Sequence, residues 1–329
     1  MPDAKIIGTG IYVPGRIVTN AELSRNLGED IDEFVSTIVG IKERHIAAED
    51  ESAADLAAAA AERALADAGV DATKVDLILV ATDTPEYISP ATSVVVQQRI
   101  GATNAGTFDI NCACAGFVTT LDTAFKYMIA DDSYQNILVI GCYAMSKFID
   151  WKDKKTSTLF ADGAGAVVLR SVKDEKHFLA SKLVADGSYH SYMGIFAGGT
   201  HEPITADVLA ANNTNRLRFA QKYPPEVNII GWPKIVNEVI AKAGLSLDEV
   251  DIFLWTQVNL STIKIVMQEM EIPEHKTHTI MQKWGYTGSA CIPMVLHDAL
   301  EHGKIKRGDN IVLCASGGGL NMACLAMRY

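Results

Sequence analysis

No apolar run in this sequence reaches the ~18–20 residues that a helix needs to cross a bilayer. Basic residues are scarce: Lys and Arg total 29 against 40 Asp and Glu, a formal charge of −11 at pH 7. That balance removes the electrostatic attraction that nucleic acid and anionic membranes exert on basic surfaces, so neither is expected as a partner. No low-complexity segment divides the chain, and no leader-like stretch precedes the strand-like run after Met1-Pro2-Asp3-Ala4-Lys5. No second ligand pair follows Cys112-Ala113-Cys114 at zinc-like spacing, so no metal is expected. Asp162-Gly163-Ala164-Gly165 lacks the spacing and the following helix of a dinucleotide fingerprint, so no tightly bound cofactor is expected. A chain of 329 residues does not need disulfides, and its six cysteines are expected as free thiols in a reducing, cytoplasmic setting.

What is present is the composition of a folded globular protein, with 48% hydrophobic and 21% charged residues. An internal repeat organises it. Ala61–Thr82 reads AERALADAGVDATKVDLILVAT and Val236–Gln257 reads VNEVIAKAGLSLDEVDIFLWTQ, an offset of 175 residues. Each is an amphipathic helix, a Gly stop and an apolar strand. Asn136-Ile137-Leu138-Val139 and Asn310-Ile311-Val312-Leu313 repeat at an offset of 174. Tandem strand–helix–strand units of this kind predict an α/β fold with mostly parallel, buried sheets. The segment from about 171 to 225 breaks the pattern with Gly198-Gly199, Asn212-Asn213 and Pro224-Pro225. It reads as an insertion covering a site, between an N-terminal half (1–170) and a C-terminal half (226–329).

The chemistry concentrates at Asp109-Ile110-Asn111-Cys112-Ala113-Cys114-Ala115-Gly116-Phe117. A strand over 106–110 runs through small residues into a helix over about 115–129. A cysteine at a helix N-terminus meets free N–H groups and the helix dipole, which favour thiolate. The stretch reads either as a nucleophilic thiol or as two small buried thiols in a core turn. Ser316-Gly317-Gly318-Gly319, after another apolar strand, exposes backbone N–H groups of the kind that bind an oxyanion, or simply makes a tight turn.

Taken together, these motifs resemble the β-ketoacyl-acyl-carrier-protein synthase III branch of the thiolase superfamily. The resemblance rests on Ile7-Gly8-Thr9-Gly10 with Val13-Pro14, Gly40-Ile41-Lys42-Glu43-Arg44-His45-Ile46, Cys114-Ala115-Gly116-Phe117 and Phe160-Ala161-Asp162-Gly163-Ala164-Gly165-Ala166. It continues through Gly285 to Pro293 and Gly317-Gly318-Gly319, and covers nearly the whole chain. It implies a thiolase-like fold of two pseudo-twofold-related βα halves in a layered α/β/α/β/α core. It also implies a homodimer, with Ser89 to Thr92 in a loop that shapes the partner's tunnel. Carried onto this chain, the acyl-carrying cysteine is Cys114, and its oxyanion donors are its own N–H and one from the glycine triplet, at Gly318.

The resemblance also exposes two departures. Where the family has His in Pro-His-Gln-Ala-Asn, this chain has Thr256 in Trp255-Thr256-Gln257-Val258-Asn259. Where the family has Asn in its Gly-Asn-Thr turn, this chain has Tyr286 in Gly285-Tyr286-Thr287. Neither Thr nor Tyr supplies an imidazole-like base at neutral pH, although a tyrosine hydroxyl can donate to an oxyanion. Phe34 and Ile38 fall near the family's coenzyme A entrance, Lys154 and Lys155 either at phosphate-contacting positions or in a solvated charged loop, and Asn259 beside the altered strand end. The carrier-protein docking helix aligns with 264–274, which carries Glu269, Glu271 and Glu274 and should repel an acidic carrier. His201, beside Gly198-Gly199, is the alternative base to test. These observations imply an acyl-coenzyme A-dependent acyltransferase, condensing or thiolytic, with Cys114, Thr256, Tyr286 and Gly318 at the reaction and Phe34, Ile38, Lys154 and Asn259 at the substrate. The alternative is a helper subunit paired with an active homologue.

Overall fold

The computed structural model describes residues 2–210, 215–224 and 226–329. The turn signals Asn212-Asn213 and Pro225 lie outside the described residues. Two sheets carry the architecture. The first contains β1 (Pro2–Tyr12), β2 (Leu77–Ala81), β3 (Gly106–Ile110), β4 (Asn136–Tyr143) and β5 (Gly163–Lys173), in the order β1-β5-β4-β2-β3. The second contains β6 (Phe178–Ala185), β7 (Ile252–Trp255), β8 (Asn310–Gly317) and β9 (Asn321–Arg328), in the order β7-β8-β9-β6. The repeat in the sequence is this repeat in space: β2 corresponds to β7 and β4 to β8. The strand β3 has no full counterpart, since a single parallel bridge, Phe253 with Thr277, stands in its place.

The sheets are mixed rather than mostly parallel. β2 runs parallel to β3 and β4, and β7 to β8. The pairings β1–β5, β4–β5, β8–β9 and β9–β6 are antiparallel. Only three residues, Gly318 to Leu320, separate β8 from β9, too few for a crossover, so that pair must be antiparallel. The insertion is also shorter than the sequence suggests. β5 runs to Lys173 and β6 belongs to the second sheet, which leaves the described residues 186–210 and 215–224, with only short elements, as the connecting segment. Small and polar residues such as Ala180, Ser181 and Lys182 hide β6 from an apolar pattern.

Helices α1 (Ala53–Ala68), α2 (Thr92–Ile100), α3 (Gly116–Ala130), α4 (Glu226–Ala243), α5 (Leu260–Glu269) and α6 (Cys291–Glu301) complete the layers. α3 and α6 touch strands of both sheets and form the middle layer, while α1 packs on the first sheet and α4 on the second. α1 starts with a capping box between Ser52 and Asp55, a device whose loss typically costs about 1 kcal/mol. Its buried face is alanine-rich, with Ala53, Ala57, Ala60, Ala61 and Ala64. That face lies so close to β1 that a Cβ on Gly10 would stand 2.4 Å from the Ala64 nitrogen, and one on Gly8 2.5 Å from that of Ala68. The Gly8-Thr9-Gly10 motif is therefore a packing requirement. The other motifs brace the loops around the central helices. Arg44, fully buried, donates to the Val18 carbonyl at 3.2 Å, Asn20 Oδ1 at 2.8 Å and the Thr158 carbonyl at 3.0 Å. Asp162 accepts from the Ala47 and Ser146 backbone N–H groups, each at 2.8 Å. Among the described residues no helix is long and apolar enough to cross a membrane.

Candidate active site

Three parallel strands deliver the central residues. β2 and β3 end in register, Ala81 beside Ile110, and the chains beyond them run toward the middle layer. After β3, Asn111 Oδ1 accepts the Ala113 N–H at 3.1 Å, Ala113 takes a left-handed φ of +47°, and one 3₁₀ turn over Ala113–Ala115 leads into α3. Cys114 sits in that turn. Asp109, just upstream, is a structural anchor. Its carboxylate accepts Thr92 N–H at 2.6 Å and Ser93 N–H at 2.8 Å, a negative charge at the positive end of α2.

The second half closes over this turn. A Cβ on Gly317 would lie 2.7 Å from the Cys114 nitrogen and 2.6 Å from the Cys112 carbonyl oxygen, so only glycine allows the end of β8 to rest on the cysteine's backbone. Gly318, the oxyanion donor expected from the sequence, faces Met193 and the Tyr223 hydroxyl. The Tyr286 hydroxyl shares a hydrogen bond with Cys114 Sγ that favours the thiolate. The backbone of Tyr286 is clamped on both sides, its N–H donating to Leu159 O at 3.0 Å and its carbonyl accepting from Ala161 N–H at 2.8 Å.

Not every residue singled out in the sequence comes to the sulfur. Thr256 is fully buried, and its Oγ1 accepts the Ser316 N–H at 2.9 Å. It ties β7 to β8. Asn259 caps α5, its Oδ1 accepting the Thr262 N–H at 3.2 Å. The expected docking helix ends at Glu269, because Glu271 is left-handed and Pro273 follows. His201 is exposed, among Ser191, Phe196, Glu202 and Arg218. His45 bonds the Pro14 carbonyl, His297 the Thr9 hydroxyl and His278 Asp298.

The thiol is more enclosed than a nucleophile at an open helix end. Cys114 is 3% exposed. Burial pushes its pKa well above the ordinary range, the nearby Asp83 carboxylate adds to the rise, and the Tyr286 hydrogen bond opposes it. The depressed thiol pKa expected from the helix dipole is thus overturned at rest, because desolvation outweighs it. Burial likewise raises Tyr286 and Tyr143, and the Cys291 thiol to about 12, so these groups are held neutral. Four residues of this cluster escaped the sequence reading: Asp83, Tyr143, Tyr223 and Cys291. For Asp83 a signal existed, its place just beyond the carboxyl end of a parallel strand, where α/β proteins place their ligands.

A cavity of about 720 Å³ opens beside the cluster, lined among others by Glu29, Phe34, Lys154, Leu159, Phe219 and Tyr223. Lys154 Nζ pairs with Glu29 at 3.0 Å on the surface. Ile38 lies on the adjoining π-helical turn Val35–Val39 and is exposed. From the cavity wall, Phe219 stacks on Phe160 with centroids 6.4 Å apart, and Phe160 packs on Tyr286 at 5.5 Å. A row of rings thus leads from the cavity to the sulfur's hydrogen-bond partner.

The thiol-bearing turn between two related βα halves defines an acyl-transferring, condensing enzyme of the thiolase-like class. The family profile of 3-oxoacyl-[acyl-carrier-protein] synthase III matches residues 108–187, and that of its C-terminal region matches 240–329. The β-ketoacyl-[acyl-carrier-protein] synthase III of Geobacillus kaustophilus is 39% identical over 326 residues, 99% of each chain. The crystal structure of the Aquifex aeolicus synthase III superposes with a TM-score of 0.88 at 36% identity, over 99% of this chain and 100% of that one. The Pseudomonas aeruginosa synthase III structure gives 0.89 at 29% identity, over 99% and 98%. The chain belongs to the 3-oxoacyl-[acyl-carrier-protein] synthase III family.

Proposed function

We propose that this enzyme takes an acyl group from a coenzyme A thioester onto Cys114 and passes it to an acceptor by a step that does not use the family's imidazole and amide pair. The observation that carries the reading is the assembly at Cys114: a turn at the head of α3, the Gly317 backbone resting on the cysteine's amide, and the Tyr286 hydroxyl on its sulfur. In the loading step the sulfur adds to the thioester carbonyl. The resulting oxyanion meets the Cys114 N–H and the glycine-triplet backbone, and Tyr286, held as a neutral phenol, donates to developing charge. Thr256 stands where an imidazole acts in the family, and its hydroxyl oxygen is engaged by the Ser316 N–H. The acceptor step therefore runs without that group.

Coenzyme A is favoured over carrier protein as the acyl donor. The cavity combines the apolar Phe34 with Lys154 and Lys155, and the acidic residues Glu269, Glu271 and Glu274 are exposed on the face that a carrier would meet. A homodimer is proposed through the β3 edge, near which Tyr87 and Ile88 expose 54% and 87% of their surface.

The test is intact-mass analysis after mixing the purified chain with acyl-coenzyme A. The expected result is one added acyl mass that disappears in Cys114→Ala. An acyl adduct that survives this substitution overturns the assignment. The enclosure of Cys114 favours a second reading, a helper subunit. An unmodified wild-type chain that becomes acylated only beside an active homologue selects that reading.

A further inference from the structure

One half-buried carboxyl group, with one oxygen sealed from solvent, has no task in the loading step as described. Asp83 follows β2 in the turn Thr82-Asp83-Thr84. The turn is fastened on both sides: Thr82 N–H donates to Ile110 O at 3.2 Å, at the end of β3, and Thr84 Oγ1 accepts the Ala144 N–H at 2.9 Å, beyond β4. Asp83 is thereby held between the cysteine turn that follows β3 and Tyr143 at the end of β4. Its charge is felt at both groups. Its Oδ1 is buried without a hydrogen-bond partner among the described residues. An orphaned buried carboxylate oxygen costs stability and calls for an explanation in function.

We propose that Asp83 is the acid–base residue of acyl loading, the proton acceptor that this site uses in place of an imidazole. The inference rests on the reading of Cys114 as the acyl carrier. The Cys114 thiol gives its proton to the Asp83 carboxylate, and the sulfur's electron pair adds to the thioester carbonyl carbon. On collapse the bond from that carbon to the coenzyme A sulfur breaks. The departing thiolate takes the proton back from Asp83, so Asp83 ends as carboxylate, Cys114 as thioester and coenzyme A as free thiol.

The electrostatics suit this role. Burial raises the Asp83 pKa to about 6, and only its own backbone N–H opposes the rise. Neutral pH therefore leaves it ionised yet more basic than an ordinary carboxylate. The titratable groups that face it are Cys114 from the turn and Tyr143 from β4, with Tyr286 and Cys291 behind the cysteine. All four are neutral at that pH, so the break near pH 6 belongs to Asp83. The resting thiol, pushed up by burial, is the kind of nucleophile that needs such a base.

Two measurements on the full chain test the proposal. The first is the rate at which iodoacetamide alkylates Cys114 as a function of pH, read by mass, and it needs no acyl donor. The wild type is expected to lose rate below about pH 6. Asp83→Asn should lose that break and react about 10²-fold more slowly at pH 7.5, while Asp83→Glu keeps a break and recovers part of the rate. The second is acyl loading from acetyl-coenzyme A, where Asp83→Asn should slow by a similar factor. Matching rates and profiles in wild type and Asp83→Asn overturn the proposal, as does an equal loss in Asp83→Asn and Asp83→Glu, which marks a packing role. If alkylation follows the expected pattern while the wild type takes no acyl group, the base stands and the acyl-carrier reading fails.

Discussion

The two halves of the molecule make the same turn and use it differently. In the first half, the 3₁₀ turn Ala113–Ala115 leads into α3 and carries Cys114. In the second, Gly288–Ala290 leads into α6 and carries Ser289, 175 residues on. Ser289 Oγ is spent, donating to the Cys142 carbonyl at 2.6 Å. Cys114 Sγ meets groups that move or share protons, among them Tyr286 by a hydrogen bond and Asp83 through its charge. The first half also has β3, a full strand that aims the cysteine turn, where the second has one bridge at Thr277. On the proposed reading one copy of the turn is scaffold and the other chemistry, and the second half completes the first half's site: Gly317 and Tyr286 come from the second half to the first half's cysteine.

That division of labour can be broken at three points. The largest effect is expected at the place where the halves touch. Gly317→Ala puts a Cβ within 2.9 Å of three backbone atoms of the cysteine turn, none of which can yield as a side chain would. Acyl loading, followed by intact mass, should fall by at least about 10²-fold, the scale of a misplaced reacting group. Tyr286→Phe keeps the ring on Phe160 and removes the hydrogen bond that favours the thiolate. Both alkylation of Cys114 and acyl loading should slow by about 10-fold, the loss expected for one donor to developing charge. Ser289→Ala should be the mildest. It leaves the Cys142 carbonyl without its side-chain donor and should cost about 1 kcal/mol in urea unfolding, with acyl loading within twofold of wild type. Equal losses of loading in the Ser289 and Tyr286 variants would mean that the two turns are not functionally distinct.

Much of this plan was legible in the chain. The repeat of Ala61–Thr82 at Val236–Gln257 located the halves because both copies keep helix, glycine stop and strand in one order. The Cys114 turn was legible from a strand running through small residues into a helix. The antiparallel pairings were not, since the Gly318 to Leu320 connection is a turn whose brevity shows only once β9 is recognised as a strand. Thr256 was read as a site residue because of its place in a motif, and the sequence hid that its hydroxyl accepts the Ser316 N–H, a tie that depends on a strand pairing 60 residues away. The raised thiol pKa was hidden for the same reason. A helix dipole is local and visible in sequence, whereas desolvation comes from residues packed around the thiol from both halves, such as Tyr143 and Tyr286.

The row of rings from Phe219 through Phe160 to Tyr286 has a consequence for how substrates pay their way in. On the proposed reading, a coenzyme A thioester seated in the cavity brings its carbonyl past these rings, and the part of the carrier that lies along Phe34 and Lys154 supplies binding energy for that approach. Truncated thioesters that lack that part are then expected to be poorer donors even when their acyl groups are identical.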